Sequence, residues 1–413
     1  MELDTGTVLY EKNAHTKLYP ASTTKILTAL LALENSKMEE KVTFSYDSVH
    51  KTEGSGIWRD VDEVMTMEQC MYALMLNSAN ECAYAIAEHV GGSFEEFVKM
   101  MNDRAQALGC ENTHFTNPHG LTDEEHYTSC YDLALISREA FENDMFRQIT
   151  ATKRYEIPPT NKHPDEITYL KNHQKMLFED EEYYYEYCVG GKTGYTEAAA
   201  HTLVTFAEKD GMTLVCVVMK EEIPNHFEDS ITLLDYCFDH FRTYNIEDHL
   251  GDDLQQKLPK SNFLSRESFV DIEKGGTVVL PSEADFSEVE KEFVTGASDQ
   301  DTVGTLEYRY GEHVIGKVNI TRTDLEIKAF PFGKHQLQVE TDQQKPKKII
   351  RLNVLNIILI IAGIVVLGAV IFGIYKFGDN FYFIRYKFRS RRGHNAKDGI
   401  LKQKRWKRKR KDL

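Results

Sequence analysis

An uncharged apolar run near the carboxyl end limits what this chain can fold into. The run covers residues 354–375, which is 22 residues without a charged side chain. A helix of that length is about 33 Å long, enough to cross the hydrocarbon core of a bilayer, whereas buried helices of soluble proteins are usually shorter. We therefore expect one transmembrane helix at 354–375.

The charges that flank this run predict its orientation. Residues 376–413 contain 15 lysines and arginines against 3 acidic residues, and the more positive flank of a span stays in the cytoplasm. We expect a single-pass cell-membrane protein with an extracytoplasmic amino-terminal part and a basic cytoplasmic tail, 376–413. Such a tail is more typical of contact with anionic lipid than of a nucleic-acid-binding arm.

The rest of the chain is acidic. The 413 residues carry a net charge of −16, so the tail's +12 leaves −28 for residues 1–375. This balance argues against a nucleic-acid partner, because phosphate binding needs a basic face on the folded part. The composition, with 41% hydrophobic and 28% charged residues, is that of a globular protein long enough for two domains.

The first ten residues predict an incomplete sheet edge. Asp4-Thr5-Gly6 is typical of a hairpin turn, and residues 7–10 (TVLY) have the composition of a strand. Only three residues precede the turn, and no export signal precedes the part expected outside the cell. We therefore expect further residues upstream of Met1.

Local patterns predict helices on both sides of an antiparallel sheet, hence an α+β fold. Apolar spacing and capping boxes predict helices at 23–34, 66–76, 80–90 and 93–108. Asp210-Gly211 is a strong hairpin signal between two apolar runs. We expect a first domain at 1–245, a linker at 246–262, and a small all-β domain at 263–343, where short strands alternate with glycine and proline turns.

A serine and a lysine lie three residues apart at the start of the first helix. In Ser22-Thr23-Thr24-Lys25 the hydroxyl and the amine fall on one helix face, so a partly desolvated lysine can deprotonate the serine. The pattern alone is weak, since one such match is expected by chance at this length. A second match, Ser48 to Lys51, precedes a glycine-rich stretch, and we expect it to be a solvated loop.

Two further motifs follow in order. Ser78-Ala79-Asn80 lies between two predicted helices, where polar side chains can reach a cleft. Taken alone, the motif is better explained as a plain turn with Asn80 as helix cap. Lys192-Thr193-Gly194 precedes the hairpin and predicts an edge strand. A glycine there leaves room for a ligand backbone, and lysine with threonine can bind a carboxylate.

Together the three motifs resemble those of penicillin-binding proteins and serine β-lactamases. The flanking stretches at 18–34, 74–93, 114–121 and 190–204 are similar to low-molecular-weight D-alanyl-D-alanine carboxypeptidases. The resemblance is close over residues 1–245 and weak over 263–343. It implies a β-lactamase/transpeptidase-like fold with a small β domain, and a membrane anchor, which in this family is most often an amphipathic helix.

The resemblance also implies a mechanism, in which an acyl-enzyme forms on Ser22 and D-alanine leaves. The resemblance implies four catalytic residues, with Ser22 as nucleophile, Lys25 as base, Ser78 as proton relay and Asn80 as the orienting amide. It implies a substrate-binding strand of Lys192, Thr193, Gly194 and Tyr195. Lys192 and Thr193 hold the terminal carboxylate, and the backbone amides of Ser22 and Tyr195 bind the oxyanion. Peptidoglycan stem peptides are the implied substrate, and β-lactams the implied inhibitors.

Two alternative functions remain open. A serine β-lactamase needs a base for rapid deacylation, and no strong candidate glutamate follows the second motif. A non-catalytic protein that binds stem peptides would be free to lose Ser22, Lys25, Asn80 and Lys192, all of which are present. We therefore favour the carboxypeptidase.

Neither metal nor cofactor is predicted. Among 15 histidines, His119 and His126 show no ligand spacing with a third residue, so we expect them to structure loops. The seven cysteines are odd in number and form no C-x-x-C pair, which disfavours both a zinc site and a complete disulfide set.

Two stretches depart from the family pattern. The family often has an arginine ahead of the third motif, whereas residues 172–175 of this chain contain Lys175 instead. Because lysine lacks the two parallel donors of a guanidinium, bidentate carboxylate binding is not expected there. The acidic and aromatic insert at 179–187 is expected to be a solvated loop.

Overall fold

The computed structural model describes residues 1–249, 270–295 and 302–322. The predicted span at 354–375, the basic tail at 376–413 and most of the linker lie outside these residues. Within the described ranges, no helix is long and apolar enough to cross a membrane. The transmembrane helix stays a prediction from the sequence.

Eight helices form in the described part of the chain, close to where the sequence predicts several of them. Thr66 and Gln69 form the predicted capping box ahead of the third helix, and the side chain of Ser93 accepts from the amide of Glu96 at the fifth. The helices are α1 (Lys25–Asn35), α2 (Tyr46–His50), α3 (Met67–Leu76), α4 (Asn80–Gly91), α5 (Phe94–Ala107), α6 (Cys130–Phe141), α7 (Asp144–Ala151) and α8 (Asn225–His240). A 3-10 turn, Ala21–Thr24, leads into α1.

The strands pair antiparallel throughout the described residues. They are β1 (Lys41–Thr43), β2 (Val64–Thr66), β3 (Arg154–Ile157), β4 (Thr168–Lys171), β5 (Cys188–Thr196), β6 (Ala200–Lys209), β7 (Met212–Glu221), β8 (Phe241–Asn245), β9 (Val270–Ile272), β10 (Thr277–Pro281), β11 (Glu290–Thr295), β12 (Thr302–Tyr310) and β13 (His313–Arg322).

The central sheet runs in the order β5-β6-β7 and lies between two layers of helices. Asp210 and Gly211 both have positive φ, +52° and +80°, so the predicted hairpin turn between β6 and β7 is confirmed. Alternate residues of β6 face opposite sides of the sheet. Leu203 packs in the cluster that includes α8, and Val204 packs in the larger cluster with α1 and α6.

α1 is the buried centre of the helical layer, because every residue from Lys25 to Ala32 is buried. It contacts α3, α4, α5, α6 and α7. A helix enclosed on all sides is rigid, which makes its first turn a firm support for a catalytic group.

A small β module follows α8. β8 pairs with β10, and a second sheet has the order β11-β12-β13-β9. The module core contains Ile246, Val278, Leu280, Leu306 and Tyr308. The predicted domain boundaries stay predictions, since residues 250–269 lie outside the described ranges.

The predicted strand at 7–10 is wrong. Residues 1–3 run along β7 instead: the Leu3 amide donates to Thr213 O at 2.9 Å, and the Val215 amide donates to Met1 O at 2.9 Å. The Glu2 carboxylate then accepts from the amides of Asp4 and Thr5. This closes the predicted turn after the paired segment, and the Glu2 amide donates across it to Thr7 O at 2.9 Å.

Candidate active site

The 3-10 turn places Ser22 at the entrance to α1. Ala21 has φ +49°, a conformation that needs support for a residue with a side chain. Support comes from Pro20 O, which accepts from Thr23 Oγ1 at 2.7 Å and from Thr202 Oγ1 at 2.9 Å. The turn is therefore tied to the central sheet, and the half-buried Ser22 has a fixed position.

Lys25 is buried and lies against Ser22. Its Nζ is 2.9 Å from Ser22 Oγ, 2.6 Å from Asn80 Oδ1 and 2.5 Å from His119 O. Burial, helped by the neighbouring Lys192 ammonium, holds the pKa of Lys25 well below its usual value. A neutral amine donates its two N–H groups to Asn80 and His119, which leaves its lone pair facing the Ser22 hydroxyl. This arrangement can deprotonate a serine.

The second motif lies in the break between α3 and α4. Ser78 has φ +59° and is 4% exposed, and no described group lies within hydrogen-bond distance of its Oγ. A strained residue with an unpartnered buried hydroxyl is costly, and such residues concentrate at functional sites. Asn80 begins α4 and joins Lys25 through its Oδ1.

The third motif lies on β5, whose outer edge is free of a strand partner in the described sheet. Gly194 packs against the serine turn: a side chain there would place Cβ 2.8 Å from Ser22 N and 2.3 Å from Thr202 Oγ1. Glycine is therefore required for β5 to approach the nucleophile. Tyr195 is the next residue and is 59% exposed. Its backbone amide is therefore adjacent in the chain to the close contact at Gly194.

Lys192 is buried beneath the cleft. It is 1% exposed, and its Nζ donates to Thr193 O at 2.9 Å. Burial lowers the pKa of Lys192 to about 7. The site thus contains two lysines whose protonated forms are both disfavoured by desolvation, one beside Ser22 and one on the edge strand.

The main chain of His119 is a site group that the motifs did not reveal. Its carbonyl accepts from Lys25, and the Thr28 hydroxyl donates to the carbonyl of the preceding Pro118 at 2.6 Å. Asn117 Oδ1 accepts from the Gly120 amide at 2.7 Å and closes this loop. The stretch HFTNPHGL carries family likeness, but no side-chain chemistry in it points to a carbonyl that orients the base.

Gly120 lets this loop touch the serine turn. Its φ is +87°, and a Cβ would lie 1.8 Å from Ala21 O. We expect Gly120→Ala to lower the rate of penicillin acylation at least about 100-fold, because displacing the serine turn by an ångström destroys the attack geometry. Labelling kinetics with a fluorescent penicillin measure this rate.

Gly109→Ala is the matched control for this prediction. Gly109 has φ +83° and nothing within 4 Å of an added Cβ, so the change adds the backbone strain without the clash. It should reduce the free energy of unfolding by about 1 kcal/mol and leave acylation unchanged. Equal acylation rates in the two variants would show that contact between Gly120 and Ala21 is unimportant.

The loop-structuring role predicted for His126 and His119 is confirmed. His126 Nε2 lies 2.9 Å from Thr24 Oγ1, and its Nδ1 accepts from the Thr116 amide at 3.0 Å. His119 Nδ1 accepts from the Leu121 amide at 3.3 Å. Burial lowers the pKa of both imidazoles to about 3, so both are neutral. Among the described residues, no group of three side chains is placed to ligate a metal.

The sequence predicted a solvated loop for the second Ser-x-x-Lys match, which is wrong for Ser48 and confirmed for the exposed Lys51. Ser48 is buried in α2, where its hydroxyl donates to Ser45 O at 2.9 Å. Lys51 pairs with Asp47 at 2.6 Å on the surface. The Ser45 cap starts a helix that the downstream glycines do not prevent, and serine and lysine then face different surroundings.

The solvated loop predicted at 179–187 is confirmed in part: the segment is a loop with most of its residues exposed, but not all of its side chains are solvated. Tyr185 is 7% exposed and donates to Asp235 Oδ1 on α8 at 2.8 Å, while Tyr183 stacks on Phe227 with ring centroids 5.2 Å apart. Tyr183, Tyr185 and Tyr187 therefore pack on α8. Tyr184 is 40% exposed, and most of the acidic residues face solvent. Lys175 is directed to this insert, with its Nζ 3.9 Å from Glu181.

Comparison with known proteins places this geometry in a group of enzymes. The family model described as D-alanyl-D-alanine carboxypeptidase matches residues 1–222. D-alanyl-D-alanine carboxypeptidase DacF of Bacillus subtilis strain 168 is 36% identical over 250 residues, covering 59% of this chain and 62% of that protein. The D-alanyl-D-alanine carboxypeptidase of Streptomyces sp. strain K15 is 32% identical, covering 58% and 85%.

Solved structures give the same picture. The crystal structure of the Streptomyces K15 DD-transpeptidase is 31% identical in sequence and superposes with a TM-score of 0.53, covering 58% of this chain and 95% of that one. The match to DacF spans less than two thirds of that relative.

Proposed function

The chain belongs to the D-alanyl-D-alanine carboxypeptidase family, peptidase family S11, and from this premise we propose that it removes the terminal D-alanine of peptidoglycan stem peptides. The observation that carries the proposal is the Lys25 amine, buried, of lowered pKa and 2.9 Å from Ser22 Oγ. A serine activated in this way is a nucleophile for acyl transfer.

Acylation begins with the transfer of the Ser22 proton to neutral Lys25. Ser22 Oγ bonds to the carbonyl carbon of the D-alanyl-D-alanine peptide, and negative charge develops on the carbonyl oxygen. The amides of Ser22 and Tyr195 are the proposed donors to that oxygen. Gly194 supports this assignment, because its contact with Ser22 N brings β5 against the serine turn.

Collapse of the intermediate breaks the peptide bond and releases D-alanine. The leaving nitrogen needs a proton, and Ser78 Oγ, which has no described partner, is the proposed relay from protonated Lys25. Asn80 holds the Lys25 amine during this transfer through the 2.6 Å contact with its Oδ1. Lys25 then returns to the neutral form.

The terminal carboxylate is the group that distinguishes a carboxypeptidase substrate from an internal peptide. Lys192 and the Thr193 hydroxyl on β5 are its proposed partners, since a buried ammonium binds an anion strongly. Water completes the cycle by hydrolysing the Ser22 ester with Lys25 as base. Penicillins, whose ring amide mimics the same peptide bond, are expected to acylate Ser22 and remain bound.

The two lysines predict a pH profile. Protonation of Lys25 as the pH falls through its lowered pKa removes the base, which gives an acid limb. Loss of the Lys192 proton as the pH rises through about 7 removes the carboxylate partner, so kcat/KM should fall at alkaline pH. Lys192→Arg keeps its charge and should move the alkaline limb upward. An unmoved limb would assign that titration to another group.

Labelling and release together test the proposed function. The full chain is incubated with a fluorescent penicillin, and D-alanine release is measured separately from diacetyl-Lys-D-Ala-D-Ala. Labelling with release is the expected result. Labelling without release would favour a non-hydrolytic role. The absence of both labelling and release would overturn the proposal.

We also propose that the protein is anchored in the cell membrane by residues 354–375, with the active site outside and the basic tail inside. The support is the uncharged length of the run and its basic flank. Protease treatment of intact cells should remove the active-site region and spare 376–413. Cleavage of the tail in intact cells would reverse the proposed orientation.

A further inference from the structure

An exposed tryptophan lies on the segment 53–58, beside the active site. Trp58 is 76% exposed and has φ +58°, a value that is strained for a residue with a bulky side chain. No ring or cation of the described residues stacks on its indole. Such strain persists only where surrounding contacts impose it, and strained residues concentrate at functional sites and ligand clamps.

A buried carboxylate holds this conformation. Glu81, 5% exposed, accepts through one oxygen from the amides of Ile57 at 2.6 Å and Trp58 at 2.7 Å. The Arg59 guanidinium donates to Ile57 O at 2.7 Å and pairs with Glu63 at 3.0 Å. Two buried charged groups thus fix the backbone that leads into Trp58, so presentation of the indole does not depend on a flexible loop.

The same segment forms part of the wall of the catalytic cleft. The Asn80 amide donates to Ser55 O at 2.9 Å, and Asn80 Nδ2 donates to Glu53 O at 2.5 Å. The other amide atom of Asn80, Oδ1, contacts Lys25 Nζ. One side chain therefore joins the base to the segment that carries Trp58.

We propose that Trp58 determines specificity by stacking on a sugar ring of the glycan that carries the stem peptide, an inference that rests on the proposed function. The residues that precede it, Glu53, Gly54 and Ser55, are exposed and polar or glycine, so the indole is not part of the continuous apolar patch that marks a membrane surface or an obligate protein interface. A sugar ring offers a C–H face to the indole and hydroxyls to such polar neighbours. Ligand sites commonly combine an aromatic wall with a few polar groups.

A matched pair of substrates tests the proposal. D-alanine release is measured from a pentapeptide ending in D-Ala-D-Ala and from the same pentapeptide attached to its disaccharide. The quantity compared is kcat/KM for the disaccharide substrate divided by kcat/KM for the free peptide. In Trp58→Ala this ratio should fall about tenfold, because KM for the disaccharide substrate rises. In Trp58→Phe, which keeps an aromatic ring, the ratio should remain near the wild-type value. Tyr236→Ala, on α8 and 46% exposed, is the control and should leave the ratio unchanged.

The outcomes separate the possible contacts. An equal loss with both substrates would show that Trp58 contacts the peptide, and no loss with either would show that it contacts no part of the substrate. Each of these results overturns the proposed sugar contact.

A binding measurement keeps this inference separate from the proposed function. The sequence has two tryptophans, so Trp406→Phe leaves Trp58 as the sole tryptophan fluorophore, and Ser22→Ala prevents turnover. In that double variant, the disaccharide pentapeptide should change the fluorescence saturably and the free pentapeptide should not. If the wild type releases no D-alanine from either substrate and this signal persists, the proposed function fails and the sugar contact stands. A signal that is absent or equal for both ligands overturns the contact.

Discussion

Replacing Ser22 by alanine is expected to lower D-alanine release by about 10⁴-fold or more and to abolish penicillin labelling. The change removes the atom that forms the acyl-enzyme, while the half-buried position tolerates a smaller side chain. The midpoint of thermal unfolding should therefore change little. The measurements are release from diacetyl-Lys-D-Ala-D-Ala and a thermal melt of the same preparation.

Ser48→Ala provides the matched control. Ser48 begins the other Ser-x-x-Lys match and is buried in α2, yet its hydroxyl donates only to a local carbonyl, Ser45 O. This variant should retain release and labelling. Undiminished D-alanine release from Ser22→Ala would contradict the assignment of Ser22 as the nucleophile. Loss of release in Ser48→Ala alone would assign the nucleophile to Ser48.

Replacing Lys25 by methionine should cause a loss of comparable size, about 10⁴-fold in the acylation rate. Methionine fills similar volume but cannot take the Ser22 proton. Raising the pH should not restore acylation at an appreciable rate, because no second base in contact with Ser22 Oγ is present among the described residues. The rate of fluorescent-penicillin labelling measures the effect.

Lys25→Arg separates proton transfer from charge. Arginine remains protonated at all working pH values, so it places a permanent cation beside Ser22 and removes the base. We expect it to be as inactive as Lys25→Met. Substantial acylation in Lys25→Arg would mean that the residue acts by electrostatic attraction, contrary to the lowered pKa that burial imposes on Lys25.

The parts of the fold that could be predicted are those set by local sequence. The Thr66 capping box and the Asp210-Gly211 turn each specify a backbone conformation within four residues, and both form as expected. The placement of Ser22 and Lys25 at a helix entrance follows in the same way from spacing. The likeness of three ordered motifs then indicated which distant segments meet.

The parts that could not be predicted depend on tertiary contacts. The carbonyl of His119 orients Lys25 from 94 positions away in the chain, and a main-chain group leaves no trace in composition. The insert at 179–187 is strongly acidic in sequence, yet burial of Tyr185 on α8 decides its structure. The strain at Ser78 and Trp58 is likewise maintained by surrounding contacts, so propensity gave no indication of it.

Mass mapping of the penicillin adduct tests the central claim most directly. The full chain is reacted with a penicillin and digested with trypsin, and the mass of each peptide is measured by mass spectrometry. Cleavage after Lys17 and Lys25 isolates residues 18–25, in which Ser22 is the proposed acylated residue. The account predicts the penicilloyl mass on this peptide, with fragmentation placing it on Ser22. An adduct on any other residue, or none on a protein that releases D-alanine, would contradict it.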